Sequence, residues 1–308
     1  MNFPRDRCNS VMTTKYQFAQ FDPRPQGTEV NEKIFSPGSV FGIEVTIPAL
    51  AVRCTLGNLD HHRPGDTHET PSACEQAMTC ELPPEGSVLA TVRPDADSIT
   101  AIAVLVNRAE NRSNAEGRQI DEDKVWAVGE FDRHGPAGEK PCDFVTAIAR
   151  KSADFKISLT ERVAWASDLL AGADKSAEIA VLISAHDSEL EAARKASELT
   201  LHASERIAAV VSTHRFATNL GYESARVVVA MNPSMPVDPK DPAEGTYRKF
   251  TVCRYDSHVS CDLPAALVEL QKLEAGWGGR GDIFGSPQGV SSTLTLEQVL
   301  KVVARHLK

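Results

Sequence analysis

Long hydrophobic runs are missing from this chain: no apolar stretch approaches the ~18 to 20 residues that span a bilayer, which excludes a transmembrane helix. Residues 1–27 have no apolar core of the secretory type, so a cytoplasmic location and no membrane partner are expected. Positive charge is in the minority, with 33 Lys and Arg against 42 Asp and Glu and a formal net charge of −9. That balance argues against a broad basic face for long duplex nucleic acid. Aromatic residues make up only 6% of the chain, so the basic track with stacking aromatics expected of an exonuclease on long single strands is not apparent. Paired cysteines are also lacking. Cys8, Cys54, Cys74, Cys80, Cys142, Cys253 and Cys261 contain no CxxC spacing and read as reduced thiols rather than a zinc site. A small anionic substrate stays compatible with this acidic chain, because bound cations invert the field locally.

What is present is a chain of 308 residues, 42% hydrophobic and 24% charged, long enough for two domains. After an irregular lead-in, residues 1–36 with one short strand at Tyr16–Phe21, apolar runs alternate with helical patterns. The strands are Val40–Val45, Leu56–Leu59 and Ser87–Val92, and a helix-compatible stretch covers Ile99–Asn107. Strand, polar turn and helix in repetition predict a parallel sheet with crossover helices. From Phe144 to Val211 the reading is mainly helical. Ser158 with Glu161 and Ser188 with Glu191 make capping boxes, and Ile179–Ser184 reads as one more buried strand. Strands Ile207–Ser212, Ala225–Met231 and Lys249–Tyr255 follow, with a Pro-rich loop over 232–245. A helix at Pro264–Leu273, a glycine cluster at Gly276–Gly281 and a helix at Leu296–Leu307 close the chain. The expected architecture is α/β: a parallel-sheet metal-binding domain over 1–186, a linker helix over 187–205 and a smaller mixed α/β domain over 206–308.

Three segments carry the chemistry: Asp60-His61-His62, Asp95-Ala96-Asp97-Ser98, and Gly129 to Gly135 with Asp132. Each reads as the C-terminal end of a strand, where open parallel sheets build their sites. An Asp-x-Asp turn points two carboxylates at one cavity, which costs several kcal/mol unless a cation or proton lies between them. Asp95 and Ser98 also suit the N-terminus of the helix that starts near Ile99. Carboxylates joined by imidazoles suit Mn²⁺, with Mg²⁺, Co²⁺ or Zn²⁺ as substitutes, and two such cations can clamp a phosphoryl group.

These segments resemble the DHH phosphoesterase superfamily, which includes RecJ-like exonucleases, oligoribonucleases, exopolyphosphatases and family II pyrophosphatases. Asn58 to Arg63 with Pro71 to Glu75 resembles the namesake motif and its following helix, and Thr91 to Ile99 resembles the H-x-x-P-D-x-D-S segment. Phe250 to Arg254 and Gly276 to Gly285 are similar to the strand and glycine-rich loop of the DHH-associated domain, so the likeness covers residues 40–308. The resemblance implies two Mn²⁺ sites. Asp95 and Asp97 would bind different ions, His61 and Asp132 would ligate the second, and Glu44, with Asp22 behind it, would bridge. His62, Asp60 and Arg280 would form the catalytic set, with His62 and Arg280 stabilising charge on phosphoryl oxygens. Arg254, Gly278, Gly279, Arg280 and Gly281 would hold the anionic end of the substrate.

Three departures stand out. Asp-His-His precedes Asp-x-Asp, as in a circular permutation of the first domain. The family histidine falls at Thr91, with His68 or His134 as substitutes, and the loop histidine is replaced by Arg280. The resemblance implies hydrolysis of short single-stranded oligonucleotides or small nucleotides, such as a bisphosphate or cyclic dinucleotide, in the cleft between the domains. A homodimer is compatible with it. Two alternatives stay open: a pyrophosphatase or exopolyphosphatase, and a catalytically impaired nucleotide-binding regulator.

Overall fold

In the computed structural model, the described residues are 15–23, 27–35, 38–63, 66, 69–112, 120–135, 141–238, 241–254 and 261–308; His68 falls outside them. The fold is α/β and divides into two compact units, Met1–Arg133 with Asp143–Ile179, and His134–Cys142 with Ala180–Lys308. Among the described residues no helix is long and apolar enough to cross a membrane.

The first unit contains β1 (Gln17–Gln20), α1 (Thr28–Phe35), β2 (Val40–Ile43), α2 (Pro48–Ala51), β3 (Asn58–Leu59), α3 (Ala73–Ala77), β4 (Val88–Thr91), α4 (Ala96–Glu110), α5 (Glu122–His134), α6 (Asp143–Ser152) and α7 (Leu159–Leu170). Its four strands lie in the order β1-β4-β2-β3, and every neighbouring pair is parallel. All residues of β2 and β4 are buried, as a parallel sheet covered on both faces requires. Val40, Val88 and Ala90 pack on one face against Ile34 and Phe35 of α1 and Leu50 and Ala51 of α2. Helix α4 is buried on every side from Asp97 to Asn107 and forms the centre of the unit. Arg108, near its end, donates to the carbonyls of Ala77 and Cys80, satisfying the C-terminus of α3.

Helix α8 (Ser176–Lys195) runs through the stretch expected as a strand at Ile179–Ser184 and through the expected capping box at Ser188. Nothing in that sequence breaks a helix. Ser188 sits inside it, its hydroxyl donating to the Ser184 carbonyl, and none of residues 179–184 is buried as a core strand would be. Residues expected to end a linker helix instead form β5 (Glu198–His202).

The second unit continues with β6 (Ile207–Val211), α9 (Ala217–Tyr222), β7 (Val227–Asp238), β8 (Asp241–Arg254), α10 (Leu263–Leu273), β9 (Gly278–Gly279), β10 (Ile283–Gly285) and α11 (Leu296–Arg305). Its mixed sheet has the order β5-β6-β7-β8-β10-β9. Alternation sorts the side chains. Ile207, Val227, Phe250 and Val252 face α10 and α11, while Ala208, Val228 and Cys253 lie on the other face. Of the Pro-rich stretch expected as a loop, 232–238 lie in β7 and 241–245 in β8. Pro233 and Pro236 are tolerated where register shifts between Asn232 and Met235, and between Pro236 and Asp238, interrupt the ladder.

One close approach shapes the rim of the parallel sheet. Asn58 of β3 clasps the peptide after β2, accepting from Val45 N–H and donating to Val45 C=O, both at 3.2 Å. A Cβ on Gly42 would lie 2.5 Å from Asn58 Oδ1. Gly42→Ala is therefore expected to lower stability in urea unfolding by about 1–3 kcal/mol, as overpacking does; an unchanged midpoint would show the clasp to be dispensable.

Candidate metal centre

Three strand ends are aligned by register. Ile43 pairs with Thr91 on one side and Leu59 on the other, so Glu44, Asp60 and the β4–α4 turn leave the sheet at one rim. Glu44 has φ of 52°, a left-handed conformation that costs a side chain roughly 1–2 kcal/mol. It is held there by its N–H bond to Leu59 C=O, 2.7 Å, and by the Asn58 clasp on the next residue. Asp60 closes a tight turn: Oδ1 accepts from His62 N–H at 3.0 Å and lies 3.1 Å from His62 Nδ1. The turn buries the His61 side chain to 3% exposure and leaves that of His62 at 25%.

Asp95 is the N-cap of α4, accepting from Ser98 N–H at 3.0 Å. Asp97, in the first turn, is fully buried. Its carboxylate accepts from the first N–H groups of α3, Ala73 at 2.7 Å and Cys74 at 2.8 Å, and from the Ser72 hydroxyl at 2.9 Å. A helix start is suited to carry such a charge.

Asp132 arrives differently from the expected strand end. It belongs to helix α5, whose buried Val125, Val128 and Gly129 show helical spacing and not the alternation of a strand. Gly129 lets this helix press close, since a Cβ there would stand 2.5 Å from Glu75 Cδ. Glu75 fastens both helices: Oε2 accepts from Ser72 N–H at 2.6 Å, and Oε1 accepts from Arg133 Nη2 at 2.9 Å. One residue before that arginine, Asp132 places Oδ2 2.9 Å from His61 Nε2.

Glu44, His61, Asp97 and Asp132 thus converge, each offering one ligand atom, with all four atoms within 4.8 Å of one another. Glu44, His61 and His62 form a second such group. The protein therefore has an acidic and histidine cluster able to hold a metal ion. The fit is supported by His61 Nε2, which is buried, 2.9 Å from Asp132 Oδ2 and 3.4 Å from Glu44 Oε1, yet makes no hydrogen bond. Three carboxylates and one imidazole suit a hard or borderline divalent ion.

Charge crowding shifts the titration of these groups. Burial, followed by repulsion from neighbouring acids, raises Glu44 well above the carboxylate range despite contact with His61. Burial and the Asp132 charge raise Asp97 to about 6. Asp95 is raised by the surrounding protein and by Asp132, though its exposure to solvent limits the first effect. Burial would lower His61, but Asp132 and Glu44 beside Nε2 reverse this and raise it to about 10. Asp60 moves the other way: burial opposes ionisation, and the His62 contacts outweigh it.

Of the sequence-predicted ligands, Glu44, His61, Asp97 and Asp132 come together. Asp95 belongs to neither group, nor does His134 at the end of α5. Asp60 orients His62. In the second unit, Gly278 and Gly279 are strand residues pairing with Gly285 and Phe284, so the expected loop is a β-hairpin. Gly279 has φ of 147°, and a Cβ there would meet Phe284 Cα at 2.5 Å. Gly281 lies at the hairpin turn, where a Cβ would have Pro264 Cγ 3.5 Å away. Arg280 lies beside Asp282 at 3.3 Å, and Arg254 donates to the Cys261 carbonyl at 3.1 Å. The sequence reading missed Asn58, Ser72 and Glu75 as parts of the site. Ser72-x-x-Glu75 is itself a capping-box spelling, and that signal was there to be used.

No protein-family model matches this chain, and no curated protein sequence matches it either.

Folded-state pKa values above the ordinary ones make protonated Glu44, Asp97 and His61 stabilising at low pH, a contribution lost as pH rises through the folded values. Metal-free protein is expected to lose thermal stability from pH 5 to 8, and the rise in Tm on adding Mn²⁺ should grow over the same interval; calorimetry with chelator and with Mn²⁺ checks both signs. Gly129→Ala is expected to displace Asp132 and weaken Mn²⁺ binding by about 10–100-fold, the range for lost support of a ligand, as read by isothermal titration.

Proposed function

We propose that this chain is a divalent-metal-dependent phosphoric ester hydrolase of the DHH type, permuted in its first unit, acting on short oligonucleotides or small nucleotides with Mn²⁺. The observation that carries the reading is the meeting of Glu44, His61, Asp97 and Asp132 at the C-terminal rim of a parallel sheet. A divalent cation held there would act as a Lewis acid toward a phosphoryl oxygen. Around it, Asp60 orients His62 through the Nδ1 contact, and His62 would supply a hydrogen bond to a non-bridging oxygen. Helix α3 keeps Asp97 in place through two N–H groups and the Ser72 hydroxyl, and α5 brings Asp132 against His61. In the second unit, Arg254, Arg280 and the Gly278–Gly281 turn make a separate anion-recognition surface in this reading.

The test is an assay of the full chain with Mn²⁺ on an RNA dinucleotide, a cyclic dinucleotide, 3′-phosphoadenosine 5′-phosphate and pyrophosphate. Turnover of at least one nucleotide substrate is expected, abolished by chelator and reduced more than about 100-fold in His61→Ala and Asp132→Asn, beyond the loss typical of supporting residues. Turnover of pyrophosphate alone would move the assignment to a pyrophosphatase. Mn²⁺ binding with no turnover would favour the regulatory reading, and near-normal rates in both variants would refute the ligand set.

A further inference from the structure

The two carboxylate oxygens of Glu44 have different surroundings. Oε1 faces the histidines, 3.4 Å from His61 Nε2 and 3.6 Å from His62 Nδ1. Oε2 accepts the hydroxyl of Ser98 at 2.5 Å. Ser98 Oγ lies 3.3 Å from the Thr91 hydroxyl, and both oxygens are within reach of the Arg93 carbonyl, at 2.8 and 3.1 Å. Thr91 and Ser98 are completely buried. On this side Glu44 therefore meets hydroxyl groups packed between β4 and the first turn of α4.

A carboxylate that bridges two cations needs an oxygen open to each. Here one oxygen is open to the histidine side and the other is capped by an O–H donor. Asp95, the acid expected to hold the other ion, contacts the Glu44 carboxylate but uses Oδ1 to cap α4 and belongs to neither converging group. Thr91 offers a hydroxyl where the DHH pattern has an imidazole, and a neutral hydroxyl is a poor replacement in a mixed oxygen and nitrogen donor set. The two converging groups share Glu44 and His61 and so describe one position, while on the Oε2 side of Glu44 the residues present do not fit an ion.

We infer that the centre takes a single divalent cation, on the Oε1 side of Glu44, and that the buried Thr91–Ser98 hydroxyl pair occupies the position from which a second cation would reach Oε2. The inference rests on the reading of this rim as a metal centre. It makes Thr91 the residue that sets metal stoichiometry.

The experiment strips the full chain with chelator and titrates Mn²⁺ alone, by calorimetry and by elemental analysis after gel filtration, with electron paramagnetic resonance of the loaded protein. One equivalent and an uncoupled Mn²⁺ spectrum are expected. Two equivalents with an exchange-coupled spectrum would overturn the single-cation inference and leave the hydrolase reading standing. No binding at all would overturn both. Thr91→His, with folding checked by circular dichroism, is expected to add a second, weaker equivalent; a folded Thr91→His protein that still binds one would overturn the role given to Thr91. The wild-type count is independent of whether that variant folds.

Discussion

Repulsion among buried acids is the constraint around which the first unit is built. Glu44, Asp97 and Asp132 offer ligand atoms within 4.8 Å of a common imidazole, and Asp95 stands beside them. In water such a cluster would be unremarkable, but at the rim of a covered sheet Glu44 and Asp97 have lost much of their solvation. Protonation, a cation or fixed dipoles must supply the difference, and the neighbouring structure offers the third in several places. The start of α3 is directed at Asp97, and a serine hydroxyl is directed at Glu44. His61 lies among the three carboxylates, with His62 Nδ1 3.6 Å from Glu44 Oε1 beside it.

The same constraint explains otherwise costly local features. Glu44 has a left-handed backbone directly after the strand ends at Ile43, with its carboxylate 3.4 Å from His61 Nε2. Asn58 and Gly42 act as a pair, one clasping the following peptide and the other making room for the clasp. Gly129 and Glu75 act as a second pair, across two helices. Arginine 133 completes that contact from within, its side chain 8% exposed, so the attachment of α5 is poorly screened by salt.

Much of this was legible along the chain, and the misses have physical reasons. Buried apolar runs such as Val88 to Ala90 mark parallel strands because both faces are covered, and the Ser158–Glu161 capping box marks the start of α7. Asp60, His61, Asp95 and Asp97 fall near strand ends that can be read from one-dimensional pattern. Asp132 was assigned to the wrong element although the helical spacing of Val125, Val128 and Gly129 was there to be read; its meeting with His61 depends on a docking through Gly129 that no local pattern records. Glycine at 278 and 279 suggested a loop, while the observed hairpin needs Gly279 for a close backbone approach to Phe284. For 232–245, proline content outweighed strand signals, although interrupted ladders admit it. The burial of Ser98 against Glu44, 54 residues away in sequence, has no signature in either segment.

The attachment of Asp132 to α5 has a consequence for biosynthesis. A nascent chain that has delivered β1 through α4 already carries Glu44, His61 and Asp97, but without α5 it has an incomplete coordination sphere. In a chain that held a cation there, the four-membered group would be complete only after α5 had docked, and a chain ending before Glu122 would keep only the Glu44, His61 and His62 group.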